Sequence, residues 1–129
     1  MDVFVYGTLT EPDRVGSVVD SFVFVGGAVL EGCHPVSGRF PTLAPGGETA
    51  GRLLRTDDVA ALDAYEEVDG GLYVRASVPR TDGGDVAIYV GDPDALDAAE
   101  SVTWPGSGSF AARVERYLDA NAVVRPEQS

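Results

Sequence analysis

The sequence predicts an α+β domain built around a mixed β-sheet or a small open barrel. Short apolar runs of strand length alternate along the chain with segments of helical periodicity. Two of these runs, at residues 73–79 and 85–90, flank Thr81-Asp82-Gly83-Gly84, a sequence typical of a β-hairpin. The chain has 129 residues, of which 44% are hydrophobic and 23% are charged, the size and composition of one globular domain. We therefore expect a single domain over residues 1–129.

The N-terminal part of the chain predicts two strands, a helix and a long irregular region. Val3-Phe4-Val5-Tyr6 is an apolar run that stops at a glycine, which indicates a buried strand entering a tight loop. A short helix is expected over residues 11–19, followed by a strand over residues 21–31 with a bulge or bend at Gly26-Gly27. Residues 34–48 are rich in proline and glycine, so they are expected to form loops and turns.

The remaining elements are one brief strand, the hairpin and two helices. The strand is expected at residues 51–55, and a helix opens at Thr56 with a capping hydroxyl and runs to about Glu66. Residues 107–121 have the spacing of an amphipathic helix, with one face formed by Phe110, Val114, Tyr117 and Leu118.

The charge balance argues against nucleic acid and membrane partners. The formal net charge is −12, from 21 acidic and 9 basic residues, and every basic residue is an arginine. Such a chain repels nucleic acid and anionic membranes. The acid excess fits either simple solubility or adaptation to a salt-rich cytoplasm, where screening removes the self-repulsion. We favour the second interpretation, an acidic halophilic protein, because the acid excess and the missing lysine occur together.

The N-terminus and the single cysteine predict a cytoplasmic protein. No basic region precedes an apolar stretch at the start of the chain, and the longest apolar runs have only strand length. Cys33 is the one cysteine, so no internal disulfide can form. Cys33 and its neighbour His34 point to opposite faces of an extended segment, which argues against a nucleophile–base dyad. One histidine and one cysteine also make a zinc site improbable.

Glu66 is the most informative acidic residue. Val59, Leu62 and Tyr65 define an apolar stripe at helical spacing. Glu66 falls about 40° from the centre of this stripe and Glu67 about 140° away, at about 100° per residue. A carboxyl group facing apolar surroundings has a raised pKa, as a general base at neutral pH requires. The alternative is that the helix ends before Glu66, which is then one more surface acid.

The run after the first strand could bind a carboxylate. Gly7 directly follows the strand and precedes Thr8, so backbone N–H groups could face a bound anion there. The alternative is a plain turn. A phosphate-binding loop is excluded, because its glycine spacing and its lysine are missing.

Four blocks together resemble a known family. Val3-Phe4-Val5-Tyr6-Gly7-Thr8-Leu9 resembles the N-terminal signature of the gamma-glutamylcyclotransferase-like proteins, which include the gamma-glutamylamine cyclotransferases. Gly38-Arg39-Phe40-Pro41 resembles the family's middle loop. Leu62-Asp63-Ala64-Tyr65-Glu66 and then Leu72-Tyr73-Val74-Arg75 resemble the segment that carries its catalytic glutamate. The likeness runs from Val3 to about Val90, with the blocks in the expected order.

The resemblance implies a fold, an activity and a set of site residues. The implied fold is a small mixed-strand β-barrel with peripheral helices, and the implied reaction releases 5-oxoproline from a gamma-glutamyl compound. The glutamyl moiety would be bound by Tyr6, Gly7, Thr8 and Leu9, Glu66 would be the acid/base, and the pocket would be supported by Tyr73 and Arg75. No metal or cofactor is implied, and we expect a monomer or a weak homodimer.

Two points stay open at this stage. The family usually has a glycine just after the glutamate, whereas this chain has Glu67, which could alter the local geometry or charge. A catalytically silent binding or interaction module on the same fold is therefore the alternative function. The leaving group of the substrate is also open: it could be cysteine, lysine or another amine.

Overall fold

The computed structural model describes residues 1–36, 41–96 and 102–127, with all of their side chains except that of Thr8. Within these ranges the strands are β1 Asp2–Val5, β2 Val23–Val36, β3 Thr42–Arg55, β4 Tyr73–Pro79, β5 Asp85–Gly91 and β6 Val123–Pro126. The helices are α1 Pro12–Val18, α2 Val59–Tyr65 and α3 Phe110–Asn121, and a 3-10 helix spans Thr8–Thr10. None of the helices in the described ranges is long and apolar enough to cross a membrane.

The six strands form one mixed sheet in the order β4-β5-β1-β3-β2-β6. β1 pairs with β5 in parallel, and the other neighbours are antiparallel. The two edges approach each other at one corner, where Arg80 bridges to Val124 and the N–H group of Thr81 donates to the carbonyl of Val124 at 3.0 Å. The sheet therefore curls into a half-barrel, which confirms the predicted α+β class and the predicted barrel-like sheet with peripheral helices.

Both faces of the sheet are buried, and this places β1 at the centre of the molecule. Phe4 belongs to the core cluster beneath α3, whereas Val3 and Val5 belong to the cluster beneath α1 and α2. This alternation follows from the period of two along a strand. β1 therefore ends deep in the fold, between the two apolar layers.

The long β2–β3 hairpin corrects one prediction. Residues 34–48, expected to be loops and turns, belong largely to β2 and β3, and the brief strand at 51–55 is the end of β3. Pro35 pairs with Leu43 and Pro45 with Cys33. Among the residues that the structure describes, β6 pairs only with residues 28–31 of β2, and β1 only with residues 52–55 of β3. The prolines thus lie where their strands have a neighbour on one edge, and such positions tolerate the missing N–H group.

The other elements follow the predictions with small shifts. The register of β2 shifts between Phe24 and Gly26, which confirms the predicted bulge. α2 begins at Val59, later than the predicted opening at Thr56, because the Thr56 hydroxyl forms a turn by accepting from the N–H group of Asp58 at 3.1 Å. α3 begins at Phe110, capped by the side chain of Ser109. β6 has no counterpart in the predictions.

Candidate active site

The loop after β1 is held by hydrogen bonds to its backbone. The N–H group and the hydroxyl of Thr10 both donate to the carbonyl of Gly7, at 3.1 and 2.7 Å. The Arg52 guanidinium donates to the carbonyl of Thr10 at 2.8 Å and stacks on the Phe24 ring, 3.7 Å from its centroid. The chain is thereby fixed in a tight 3-10 turn at the point where the central strand ends.

A cavity of about 330 Å³ opens beside this turn. Five of the seven site residues predicted from the sequence line it: Tyr6, Gly7, Leu9, Glu66 and Tyr73. The rest of the lining consists of Phe4, Val5, Arg14, Pro41, Tyr65, Glu67, Leu72 and Tyr89. Residues 38–40 of the predicted middle loop lie outside the described residues, and only Pro41 of that block is seen here. The cavity thus brings the end of β1 together with the C-terminal end of α2.

Gly7 lines the cavity without being required by its backbone conformation. Its φ is not among the positive values that favour glycine. A Cβ atom added there would lie 3.5 Å from the side chain of Pro41, an ordinary contact. What the glycine provides is bare backbone facing the cavity.

Glu66 occupies the C-cap position of α2. Its N–H group donates to the carbonyl of Leu62 at 2.9 Å, so the residue stays close to helical geometry although the helix ends at Tyr65. The side chain is half-buried, and within the described part of the chain its carboxyl group has no hydrogen bond or ion pair. Burial raises the pKa of Glu66 from its ordinary 4.5 to about 7, because the charged form loses solvation. The inward orientation expected for Glu66 is therefore observed.

Glu67 turns outward and keeps the backbone geometry that a glycine would supply. Its φ is +52°, a left-handed conformation. The N–H group of Glu67 donates to the carbonyl of Ala64 at 3.2 Å, and that of Val68 to the carbonyl of Asp63 at 3.0 Å. These two bonds form a Schellman motif, in which the residue after the C-cap has positive φ. The substitution of the family's usual glycine has thus left the turn intact.

Tyr6 and Tyr73 form an aromatic wall with their hydroxyl groups directed to backbone. The hydroxyl of Tyr6 donates to the carbonyl of Tyr89 at 2.5 Å, and that of Tyr73 to the carbonyl of Pro41 at 2.6 Å. Burial raises the pKa of both phenols, and the nearby Glu66 carboxylate adds to the effect. Both tyrosines are therefore neutral at physiological pH.

Arg75 does not line the cavity and acts on it through two other residues. Its guanidinium donates to Asp63 at 2.8 Å, and the hydroxyl of Tyr89 donates to the other carboxylate oxygen at 2.7 Å. Tyr89 itself lines the cavity. Sequence reasoning missed Asp63, although it lies inside the quoted glutamate segment, and it also missed Tyr89 and Arg14.

Comparisons with known proteins identify the family of this chain. Residues 3–109 match the family described as gamma-glutamyl cyclotransferase, AIG2-like. This match covers most of the chain, so the protein belongs to the AIG2-like gamma-glutamyl cyclotransferase family, which confirms the resemblance found in the sequence. No curated protein matches the chain significantly.

Solved structures share the fold at low sequence identity. A gamma-glutamyl cyclotransferase is 20% identical, with a TM-score of 0.60 over 71% of this chain and 66% of its own. An uncharacterised protein from Homo sapiens is 18% identical, with a TM-score of 0.61 over 99% of this chain and 89% of its own. A protein from Arabidopsis thaliana is 29% identical, with a TM-score of 0.53 over 86% of this chain and 78% of its own.

Proposed function

We propose that this protein is a gamma-glutamyl cyclotransferase, which converts a gamma-glutamyl compound into 5-oxoproline and a free amine or amino acid. The observation that carries the proposal is the carboxyl group of Glu66, which has no partner among the described residues, is half-buried in a cavity beside the Gly7 turn and has a pKa of about 7. A general acid/base works best when its pKa lies near the working pH. Family membership supports the same reaction class.

The substrate brings its own nucleophile, so the task left to the protein is to transfer protons. Glu66 takes a proton from the substrate's alpha-ammonium group, and the free amine attacks the gamma-carbonyl carbon. The new carbon–nitrogen bond closes a five-membered lactam, and the original amide bond breaks. The protonated Glu66 then donates its proton to the departing amine, and the restored carboxylate takes the second proton that the attacking nitrogen must lose to become the lactam N–H. This second proton leaves with the product amine, which is released as an ammonium ion.

Orientation supplies the second contribution to the rate. The extended glutamyl chain must fold so that its amine meets its own gamma-carbonyl group. The first N–H groups of a helical turn have no partner within it, and here those groups belong to the segment from Gly7 to Leu9. They would hold the alpha-carboxylate, while Tyr6 and Tyr73 pack against the glutamyl methylenes. Fixing the folded conformer in advance is the proximity effect.

Three substrates test the reaction, with products identified by mass. A gamma-glutamyl dipeptide such as gamma-glutamyl-cysteine is expected to yield 5-oxoproline. An alpha-linked glutamyl dipeptide should not react, because its amine and scissile carbonyl group would close too small a ring. An N-acetylated gamma-glutamyl dipeptide should not react either, because its nitrogen is no longer nucleophilic. Glutamate as the main product, or turnover of the acetylated compound, would contradict the proposal, and binding without turnover would indicate the silent module.

A further inference from the structure

Arg14 is unusual among the arginines of this acidic chain. The chain has nine, of which Arg39 lies outside the described residues. In the described part of the chain, seven guanidinium groups contact a carboxylate, a carbonyl or a ring; they belong to Arg52, Arg55, Arg75, Arg80, Arg113, Arg116 and Arg125. The guanidinium of Arg14 has no such partner there. Among the arginines that the structure describes, Arg14 is therefore the one whose guanidinium is available to bind a ligand.

Arg14 lines the same cavity as Glu66 but at a different depth. Its side chain, on the short helix α1, is exposed, whereas Glu66 is half-buried. The carboxyl group is therefore partly shielded from solvent within the cavity, whereas the cation lies where the cavity meets solvent.

The proposed reaction orients the substrate between these two groups. The alpha-amine must reach Glu66, so the glutamyl moiety lies inside and the leaving group extends towards the opening. We propose, resting on the proposed function, that Arg14 is a specificity-determining residue that binds a carboxylate on the leaving group. Gamma-glutamyl amino acids are then preferred over gamma-glutamyl amines that lack the carboxylate.

The charge of the lining supports this assignment. Glu67 is the other exposed charged residue of the described lining, and its carboxylate cannot bind an anionic leaving group. Arg14 is the single basic residue in the described lining. Its planar guanidinium can donate two parallel hydrogen bonds to a carboxylate, which a lysine cannot do. Without Arg14, the described lining would offer no cation to such a substrate.

A matched pair of substrates tests the inference. Gamma-glutamyl-alanine and gamma-glutamyl-ethylamine differ only in the leaving-group carboxylate. We expect wild-type kcat/KM to be about 10-fold higher for the alanine compound, because an exposed charged contact contributes modestly. Arg14→Gln should lose this preference mainly through KM, and its activity towards the ethylamine compound should change by less than about twofold. Arg14→Lys should keep part of the preference. Arg125→Gln makes the same change in net charge on a remote surface and should keep it fully.

The outcomes separate this inference from the proposed function. If Arg14→Gln lost the same factor in kcat/KM on both compounds, Arg14 would bind the glutamyl carboxylate instead, and the inference would be overturned. Unchanged kinetics on both compounds would also overturn it. If wild type forms no 5-oxoproline from either compound, the proposed function fails. In that case the Kd values of wild type and Arg14→Gln for the same pair decide the inference: it requires a wild-type preference for the alanine compound that Arg14→Gln loses.

Discussion

Asp63 and Glu66 lie one helical turn apart, and their carboxyl groups differ in their hydrogen bonding. Asp63 accepts hydrogen bonds from Arg75 and Tyr89, at 2.8 and 2.7 Å. Glu66 has no such partner in the described part of the chain and is half-buried, which raises its pKa to about 7. A paired carboxylate holds neighbouring elements together through its hydrogen bonds. An unpaired and buried carboxylate is costly to the fold, but it can exchange a proton near neutral pH.

The contrast indicates how one short helix serves two purposes. Asp63 joins α2 to β4 and β5, because Arg75 and Tyr89 belong to those strands. The position of the helix end, and with it the position of Glu66, is therefore supported by the paired acid. The proton chemistry that we propose falls to the unpaired one. Buried ionisable groups of this kind are often retained at functional sites despite their cost.

The largest expected effect comes from neutralising the unpaired acid. Glu66→Gln keeps the shape of the side chain and removes the proton exchange. We expect 5-oxoproline formation to fall by about 10²- to 10⁴-fold, the usual share of acid/base catalysis. Steady-state kinetics with a gamma-glutamyl dipeptide measure it. Glu67→Gln, one residue along and facing solvent, is the control and should be nearly silent. Equal activity of Glu66→Gln and wild type would remove Glu66 from the mechanism.

The same variant should be more stable than wild type at high pH. Between pH 4.5 and about 7 the folded state keeps the Glu66 proton while the unfolded state loses it, so wild-type stability falls as the pH rises. Glu66→Gln has no such loss, and its advantage should reach about 2–3 kcal/mol above pH 7 and vanish below pH 4.5. Urea unfolding at pH 8 and pH 4.5 measures the difference. An advantage that does not change with pH would contradict the raised pKa.

Neutralising the paired acid, Asp63, should lower the stability of the protein instead of raising it. Asp63→Asn keeps an acceptor for Tyr89 but loses the charge that attracts Arg75. The pair is partly exposed, at 29% for Asp63 and 37% for Arg75, so solvent screens it. We expect a loss of about 1 kcal/mol in the free energy of unfolding at pH 8. Calorimetric or urea unfolding of Asp63→Asn and Glu66→Gln, measured together with wild type at pH 8, tests the comparison directly. A stabilised Asp63→Asn would show that the two acids do not differ as described.

Much of the fold could be predicted from local sequence, and the failures have a common cause. The β4–β5 hairpin, α3 and the bulge in β2 depend on short-range patterns, and each is observed. Pro35 and Pro45 can lie in strands because of how the neighbouring strands pair. This pairing cannot be predicted from the local sequence. The missing prediction of β6 has the same reason, since a four-residue strand is defined by its partner.

The candidate site could also be predicted only where it depends on a local pattern. The orientation of Glu66 follows from helical periodicity and survives even though α2 ends at Tyr65. The predicted apolar stripe was less accurate, because Tyr65 is 36% exposed on so short a helix. Arg14 and Tyr89 come from elements distant in sequence and reach the cavity only through the tertiary fold. The hydrophobic pattern alone could mark Tyr89 as buried, but it could not indicate Asp63 as its partner.

The smallest expected effect concerns Glu67, the neighbour of Glu66. Its backbone conformation lowers the stability of the folded protein. A left-handed φ of +52° costs a non-glycine residue about 1–2 kcal/mol, which is partly offset because glycine loses more entropy on folding. We expect Glu67→Gly to raise the free energy of unfolding by about 0.5–1 kcal/mol, since it relieves the Schellman turn. Glu67→Gln keeps the strain and is the control, with stability close to wild type. 5-Oxoproline formation by Glu67→Gly should stay within about twofold of wild type, because the side chain points away from Glu66. A 10-fold loss of activity would show that the Glu67 carboxylate takes part in the site. The comparison of Asp63 with Glu66 would then have to include Glu67 as a third functional acid.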